Sequence, residues 1–229
     1  MGIGQKEIEI WTTATVGKNT GYYSRMDNRL EFEVGLSKKL QTAFYINFSN
    51  TTTDNGTGVN TNQFEFQGVS SEWKYQLASP IKDAVGFALY SELGLNTNEV
   101  DLETKIILDK KINKTTFAFN FTFEPEWKLS RAESEMESKF EGSFGLSYAF
   151  SSSLHAGFEL RQNNVFTESG LEHSAFLGGP VISYTQTEWW ATLTVMPQIA
   201  GFKGKTEGSS LNLTEYEKFQ ARLIFSFHL

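Results

Sequence analysis

The chain has 229 residues, no cysteine and a formal net charge of −7. Without cysteine there is neither a disulfide framework nor a thiolate metal site, and the acidic balance argues against a nucleic-acid-binding surface. The hydrophobic fraction is 39%, with 20 phenylalanines, yet no apolar run approaches the roughly 20 residues that a membrane helix needs.

The opening, MGIGQKEIEI, lacks the charged-then-apolar pattern of a signal peptide. If the protein is exported, its signal has been removed and Met1 is not native to it. Lys6 stands where a myristoylation motif wants Ser or Thr. From there the chain divides into about twelve segments, at 6–17, 22–36, 40–49, 63–77, 85–95, 100–109, 115–126, 139–150, 154–163, 174–185, 189–200 and 214–229. Each alternates with period two, the mark of a β-strand with one apolar and one polar face.

In chain order, the first segment sets Ile8, Ile10 and Val16 against Glu7 and Glu9. The second sets Leu30, Phe32 and Val34 against Arg25, Asp27, Arg29, Glu31 and Glu33. Leu40, Phe44, Ile46 and Phe48 share one face of the third. In the fourth, Val69, Trp73, Tyr75 and Leu77 oppose Glu72 and Lys74, while Phe64 and Phe66 are out of phase; this predicts a bulge near Gly68. The fifth sets Val85, Phe87, Leu89 and Leu93 against Glu92, and the sixth sets Val100, Leu102, Ile106 and Leu108 against Asp101, Glu103 and Lys105. The seventh, TTFAFNFTFEPEW, places Phe117, Phe119, Phe121 and Phe123 on one face, with Ala118, Asn120, Thr122 and Glu124 between them. SRAESEMESKF (130–140) reads as a loop between two strands. The eighth and ninth set Phe140, Phe144, Tyr148, Phe158 and Leu160 against Glu141, Glu159 and Arg161. The tenth and eleventh carry Phe176, Ile182, Tyr184, Trp189, Leu193 and Val195. Pro180 and Pro197 fall inside them, where proline removes a ladder donor. Gly178-Gly179 predicts a second irregularity, and Pro197 is placed near the outer rim. The twelfth sets Phe219, Leu223, Phe225, Phe227 and Leu229 against Lys218 and Arg222. There is no helical period, no domain boundary and no repeat beyond the hairpin rhythm, so residues 1–229 form a single domain.

A soluble barrel or sandwich would also show one apolar and one charged face. Four features favour lipid on the apolar side. No Asp, Glu, Lys or Arg stands among the apolar-face residues of the twelve segments, from Ile8 in the first to Phe219 and Leu229 in the last, where a lysine or arginine at mid-bilayer costs about 2–4 kcal/mol. The strands are longer than the usual 5–6 residues of globular sheets. The even connections are tight, as at SKK (37–39) and SSS (151–153), while the odd ones tend to be longer, as at 50–62, 128–138, 164–173 and 201–213. Trp73, Tyr75, Tyr148, Tyr184, Trp189 and Phe227 fall near the tight-turn ends, where an aromatic girdle belongs. The expected fold is an all-β, transmembrane antiparallel up-and-down β-barrel of about twelve strands.

The segment FLGGPVISYTQTEWWATLTVMPQIAG (176–201) resembles the most distinctive stretch of a family of Gram-negative outer-membrane β-barrel proteins of unknown function. Residues 25–48 and 66–77 are also similar, so the resemblance spans most of the chain. It implies a barrel in the bacterial outer membrane and brings no catalytic residues. The architecture is similar to that of small monomeric porins. The final strand, FQARLIFSFHL, resembles the signal read by the barrel-assembly machinery, which implies that partner during insertion. Outer-membrane lipid and lipopolysaccharide are the expected surroundings.

Function then belongs to the polar parity. The candidate constriction residues are Glu9, Arg25, Arg29, Glu31, Glu92, Asp101, Glu103, Lys105, Arg161 and Arg222. Closing the first hairpin over GKNTG sets Glu9 near Arg29 and Glu7 near Glu31, and barrel closure brings Arg222 to Glu9 and Trp11. Glu92 is expected to approach Asp101 and Glu103, with Lys105 deeper. Such charges either select small polar or ionic solutes or plug the barrel with ion pairs. The first reading makes the protein a passive channel, and the second a closed accessory subunit of a membrane complex. An enzyme is not expected. His155, placed beside Ser153 and not far from Glu141, lies at the wrong end for an outer-surface hydrolase, and His173 and His228 stand apart from it. Neither a cofactor nor a metal site is expected, and Asp54 alone is too little acid for calcium in the loop at 50–62.

Overall fold

The computed structural model describes residues 1–19, 21–54, 56, 58–129 and 136–229. The alternating segments form twelve strands: β1 (Lys6–Val16), β2 (Tyr22–Gly35), β3 (Leu40–Asp54), β4 (Thr61–Ala78), β5 (Gly86–Leu95), β6 (Glu99–Ile112), β7 (Thr115–Lys128), β8 (Met136–Ala149), β9 (Leu154–Thr167), β10 (Gly170–Thr185), β11 (Trp189–Lys203) and β12 (Phe219–His228). Each pairs with its neighbours in the chain, and β1 pairs with β12. The seam is a continuous antiparallel ladder from Glu7–His228 to Val16–Phe219. Closure leaves no free sheet edge, the condition for a sheet in hydrocarbon.

The two faces are inverted relative to a water-soluble barrel. Ile10, Leu30, Phe44, Val69, Leu89, Ile106, Phe119, Phe121, Ile182, Leu193 and Leu223 are exposed on the outside. Glu9, Glu31, Glu33, Glu72, Glu92 and Arg161 are buried within. In water, leaving that apolar surface uncovered costs about 25 cal/mol per Å²; lipid removes the cost. The predicted girdle residues also point outward. Tyr184 packs on Trp189 with ring centroids 5.7 Å apart, and Trp189 stacks on Phe225 at 5.5 Å. The chain is a transmembrane β-barrel.

The bulge expected near Gly68 is present: the β3–β4 register shifts between Asn47 and Phe48. Gly68 has φ 104° there, and a Cβ would run into the Leu95 carbonyl, so the position requires glycine. The second irregularity falls a few residues before Gly178-Gly179. The β10–β11 register shifts between Ser174 and Ala175 and again between Phe176 and Leu177. Pro197 lies opposite Phe219, the first residue of β12, at the rim.

Several predicted loops prove to be strand. The ladder between β9 and β10 continues through 164–173, leaving only 168–169 as a turn, and β3 and β4 consume most of 50–62. Above the bilayer both faces of a strand meet water, so hydrogen bonding persists where alternation no longer marks it. In the opposite sense, β12 starts at Phe219 rather than 214, and 204–218 form the longest connection of the described residues. Within the predicted loop 130–140, residues 136–140 belong to β8, and 130–135 lie outside the described residues.

Candidate functional site

Inward-facing side chains meet across the ladder, so register decides which charges adjoin. In the first hairpin, Val16 pairs with Ser24, and Tyr22 and Tyr23 pair with β3 but not with β1, so the β1–β2 ladder closes two residues later than a turn over GKNTG alone would set it. The two-residue shift corrects the expected neighbours. Glu7 faces Glu33, Glu9 faces Glu31, and Trp11 faces Arg29. Arg29 does not pair with Glu9. Its Nη2 lies 3.3 Å from Glu92 Oε1, and its Nε donates to Asn47 Oδ1 at 3.0 Å. Its guanidinium lies 4.2 Å from the Tyr45 ring centroid and 5.7 Å from that of Trp11.

Arg222 also departs from the predicted Glu9 cluster. It sits opposite Thr13, donates to Thr13 Oγ1 at 3.3 Å, and lies 5.6 Å from the Trp11 ring centroid. Among the described residues no carboxylate comes within ion-pair distance of it. The seam group is therefore two guanidiniums sharing one indole, and the Trp11 Nε1 donates to Glu9 Oε2 at 2.7 Å. Trp11 holds together what ion pairs were expected to hold.

The β5–β6 wall follows the prediction. Glu92 faces Glu103, Asp101 faces Gly94, and Lys105 faces Tyr90. Lys105 pairs with Glu103 at 2.6 Å and lies 4.4 Å from the Tyr90 ring centroid. Tyr90 donates its hydroxyl to Glu92 at 2.5 Å. Arg25 pairs with Asp27, two residues along the same face, at 2.7 Å. Arg161 contacts Glu159 at 2.8 Å and Glu141 at 3.5 Å, and reaches Gln220 of β12 at 3.4 Å.

These side chains line a lumenal cavity of about 930 Å³. Among the described residues, twelve carboxylates and six cations line it, which makes the wall acidic. Of the β10 and β11 residues only Trp190 reaches it. That side is occupied instead by the connection at 204–218, folded inward. Tyr216 packs on Ala175, Leu177 and Met196, and its hydroxyl lies 3.0 Å from His173 Nδ1. Burial pushes the Tyr216 phenol up, so it stays protonated and can donate to the ring. Asn212 is fully buried. Gln198 holds it twice, accepting from Asn212 N at 2.6 Å and donating to Asn212 O at 2.9 Å, and donates again to Glu217 O at 3.1 Å. The sequence placed these residues in a strand and a polar loop; a contact between them carries no local signal.

The polar alternation also contained Glu72 and Lys74, which pair inside at 2.9 Å. Tyr45 and Tyr90, aromatic residues on the polar parity, were legible as lumenal in the same way. The histidines do not converge. His155 faces Ala149 and Ser183, eight positions along β9 from Asn163, which faces Glu141. That is about 26 Å at roughly 3.3 Å per residue, so the imagined proximity to Glu141 is corrected. His228 Nδ1 lies 2.8 Å from Glu7 Oε1.

No curated protein matches the chain. Among solved structures, an outer-membrane channel of Pseudomonas putida F1 aligns over 100% of this chain and 97% of its own, with TM-score 0.68 and 8% identity. The NanC porin aligns over 97% of this chain and 100% of its own, with TM-score 0.62 and 11% identity. The translocator domain of the autotransporter NalP from Neisseria meningitidis covers 100% of this chain and 90% of its own, with TM-score 0.56 and 9% identity. At such identities the likeness establishes the barrel fold. The family model of unknown function DUF6662 matches residues 2–229, and the chain belongs to that family.

Proposed function

We propose that the protein is a passive channel of the bacterial outer membrane for small hydrophilic solutes, with a preference for cations. The observation that carries the reading is the lumenal cavity of about 930 Å³, walled by polar and charged side chains and richer in carboxylates than in cations. Carboxylate rings favour cations in a narrow aqueous path. The barrel neighbours named as a channel and a porin support the same reading. With tight turns at one end and the longest connection at the other, the long-loop end is the outer one. The proposal includes no catalysis. Planar-bilayer recording on the purified barrel is expected to show stepwise conductance that scales with salt. A barrel that inserts, yet stays silent across salt and voltage, overturns it.

The inward fold of 204–218 favours a second reading, a closed barrel serving as an accessory subunit of a membrane complex. Crosslinking in native membranes separates the two, since only that reading requires a protein partner at the loops or on the lipid face.

A further inference from the structure

Three guanidiniums gather where β12 closes against β1. Arg222 and Arg29 lie 5.6 Å and 5.7 Å from the Trp11 ring centroid. Arg161 reaches Gln220, two residues before Arg222 on the same face of β12, at 3.4 Å. Arg29 has Glu92 as its partner, and Arg161 has Glu159 and Glu141. Arg222 has no carboxylate among the described residues, yet its side chain is fixed. Its Nε donates to Thr13 Oγ1 at 3.3 Å and its guanidinium rests against Trp11. Its two terminal nitrogens are left at the wall of the lumenal cavity without a hydrogen bond among the described residues.

In a lumen rich in carboxylates, a bare guanidinium is informative. Those that β7 to β12 bring to the cavity are all engaged: Glu124 with Lys139, and Glu141 and Glu159 with Arg161. Across the seam, Glu9 Oε2 is held by the Trp11 indole. Arg222 is half-buried, so it gives up part of its hydration and gains no counter-charge from the protein. Two parallel N–H donors on a guanidinium already set in place are the complement of a planar carboxylate.

The rest of the wall sets the overall charge of such a guest. Twelve carboxylates and six cations line the cavity among the described residues. A net anion is therefore repelled on its way to Arg222, and a phosphate ester, with close to two negative charges, more strongly. A carboxylate carried on the same molecule as an ammonium group enters without net charge, and the ammonium is attracted to the acidic wall. We propose that Arg222 binds the carboxylate of zwitterionic solutes, of the amino-acid and short-peptide class, inside the lumen. Their passage rests on the channel reading; their binding requires only access to the cavity.

The test is saturation-transfer NMR on the detergent-solubilised full chain, titrated at constant ionic strength with glycylglycine, acetate or ethylammonium. Glycylglycine is expected to bind saturably, and acetate and ethylammonium about tenfold more weakly or less than that, since each lacks one of the two charges. Arg222→Gln is expected to weaken glycylglycine binding by about tenfold or more. Lys82→Gln, which removes a cation from an exposed tight turn, leaves it intact. Heat-modifiable migration confirms that each variant is a folded barrel. Should Arg222→Gln not fold, the order of the three probes on the wild type still decides. No saturable glycylglycine, acetate or ethylammonium binding as tightly, unchanged binding in Arg222→Gln, or loss in Lys82→Gln overturns the site. A silent bilayer with saturable glycylglycine binding would sink the channel reading alone, and a conducting barrel that binds no glycylglycine would sink this inference alone.

Discussion

Phe121 and Asn120 are adjacent in β7 and meet different media. Phe121 is 44% exposed on the outer face, among Phe119, Phe123 and Phe140, whereas Asn120 lines the lumenal cavity. Phe121→Arg is expected to destabilise the barrel by about 2–4 kcal/mol if the site lies near mid-bilayer. Asn120→Lys, within a wet lumen rich in carboxylates, is expected to cost about 1 kcal/mol or less. Urea titration of barrels folded into vesicles checks both. Equal costs, or a larger one for Asn120→Lys, would return the phenylalanine face to a protein core. Trp11 shows the same rule from the inside. It is the aromatic residue on the inward parity of β1, and it is held there, half-buried, by carrying two guanidiniums on its ring and donating to Glu9.

At the scale of an element, the connection at 204–218 differs from the other connections among the described residues because it folds back into the barrel it closes. Gln198 is the clasp: its side chain satisfies Asn212 N, Asn212 O and Glu217 O, and Lys18 adds an ion pair to Glu217 at 3.6 Å. Gln198→Ala leaves the buried Asn212 amide without its acceptor, which costs about 1–3 kcal/mol. Amide hydrogen exchange is expected to quicken across 204–218, while the ladders of β2 to β8 stay protected. Unchanged exchange in the loop would show that Tyr216 and Lys18 hold it without Gln198. The clasp also marks where sequence reading stops. Alternation revealed twelve strands, the inner and outer parities and the bulge at Gly68, because burial by lipid on one side imposes a period of two. It could not reveal that β9 and β10 run on to a two-residue turn, since water on both sides erases the period. Nor could it place Glu9 against Glu31, because that register depends on how many residues the hairpin connection takes up. Contacts such as Gln198 with Asn212 are set by three-dimensional return of the chain and leave no local pattern.

For the whole molecule, the charge on the lumen wall is unevenly distributed, and this yields a directional prediction. Among the described residues, nine of the twelve lining carboxylates come from β1, β2, β4, β5 and β6, whereas β7 to β12 contribute Glu124, Glu141 and Glu159 with Arg161 and Arg222. Arg161 is neutralised by Glu159 and Glu141, but Arg222 is held by Trp11 and Thr13 with no ion pair among the described residues. Arg222 is thus the lumenal positive charge left to repel a passing cation, while Glu92 and Glu103 face each other across β5 and β6 on the acidic side. In a lumen this narrow, fixed charges act on permeant ions with little screening, because at 0.15 M salt the Debye length is about 8 Å. Arg222→Gln should therefore raise the preference for potassium over chloride, and Glu92→Gln/Glu103→Gln should lower it. Reversal potentials across a salt gradient measure both. Because Arg29 also pairs with Glu92, the glutamate variant frees a second guanidinium and is expected to shift selectivity further than the loss of two carboxylates alone. Opposite shifts in the two variants identify the lumen as the conducting path; identical reversal potentials in all three proteins would mean that ions pass elsewhere.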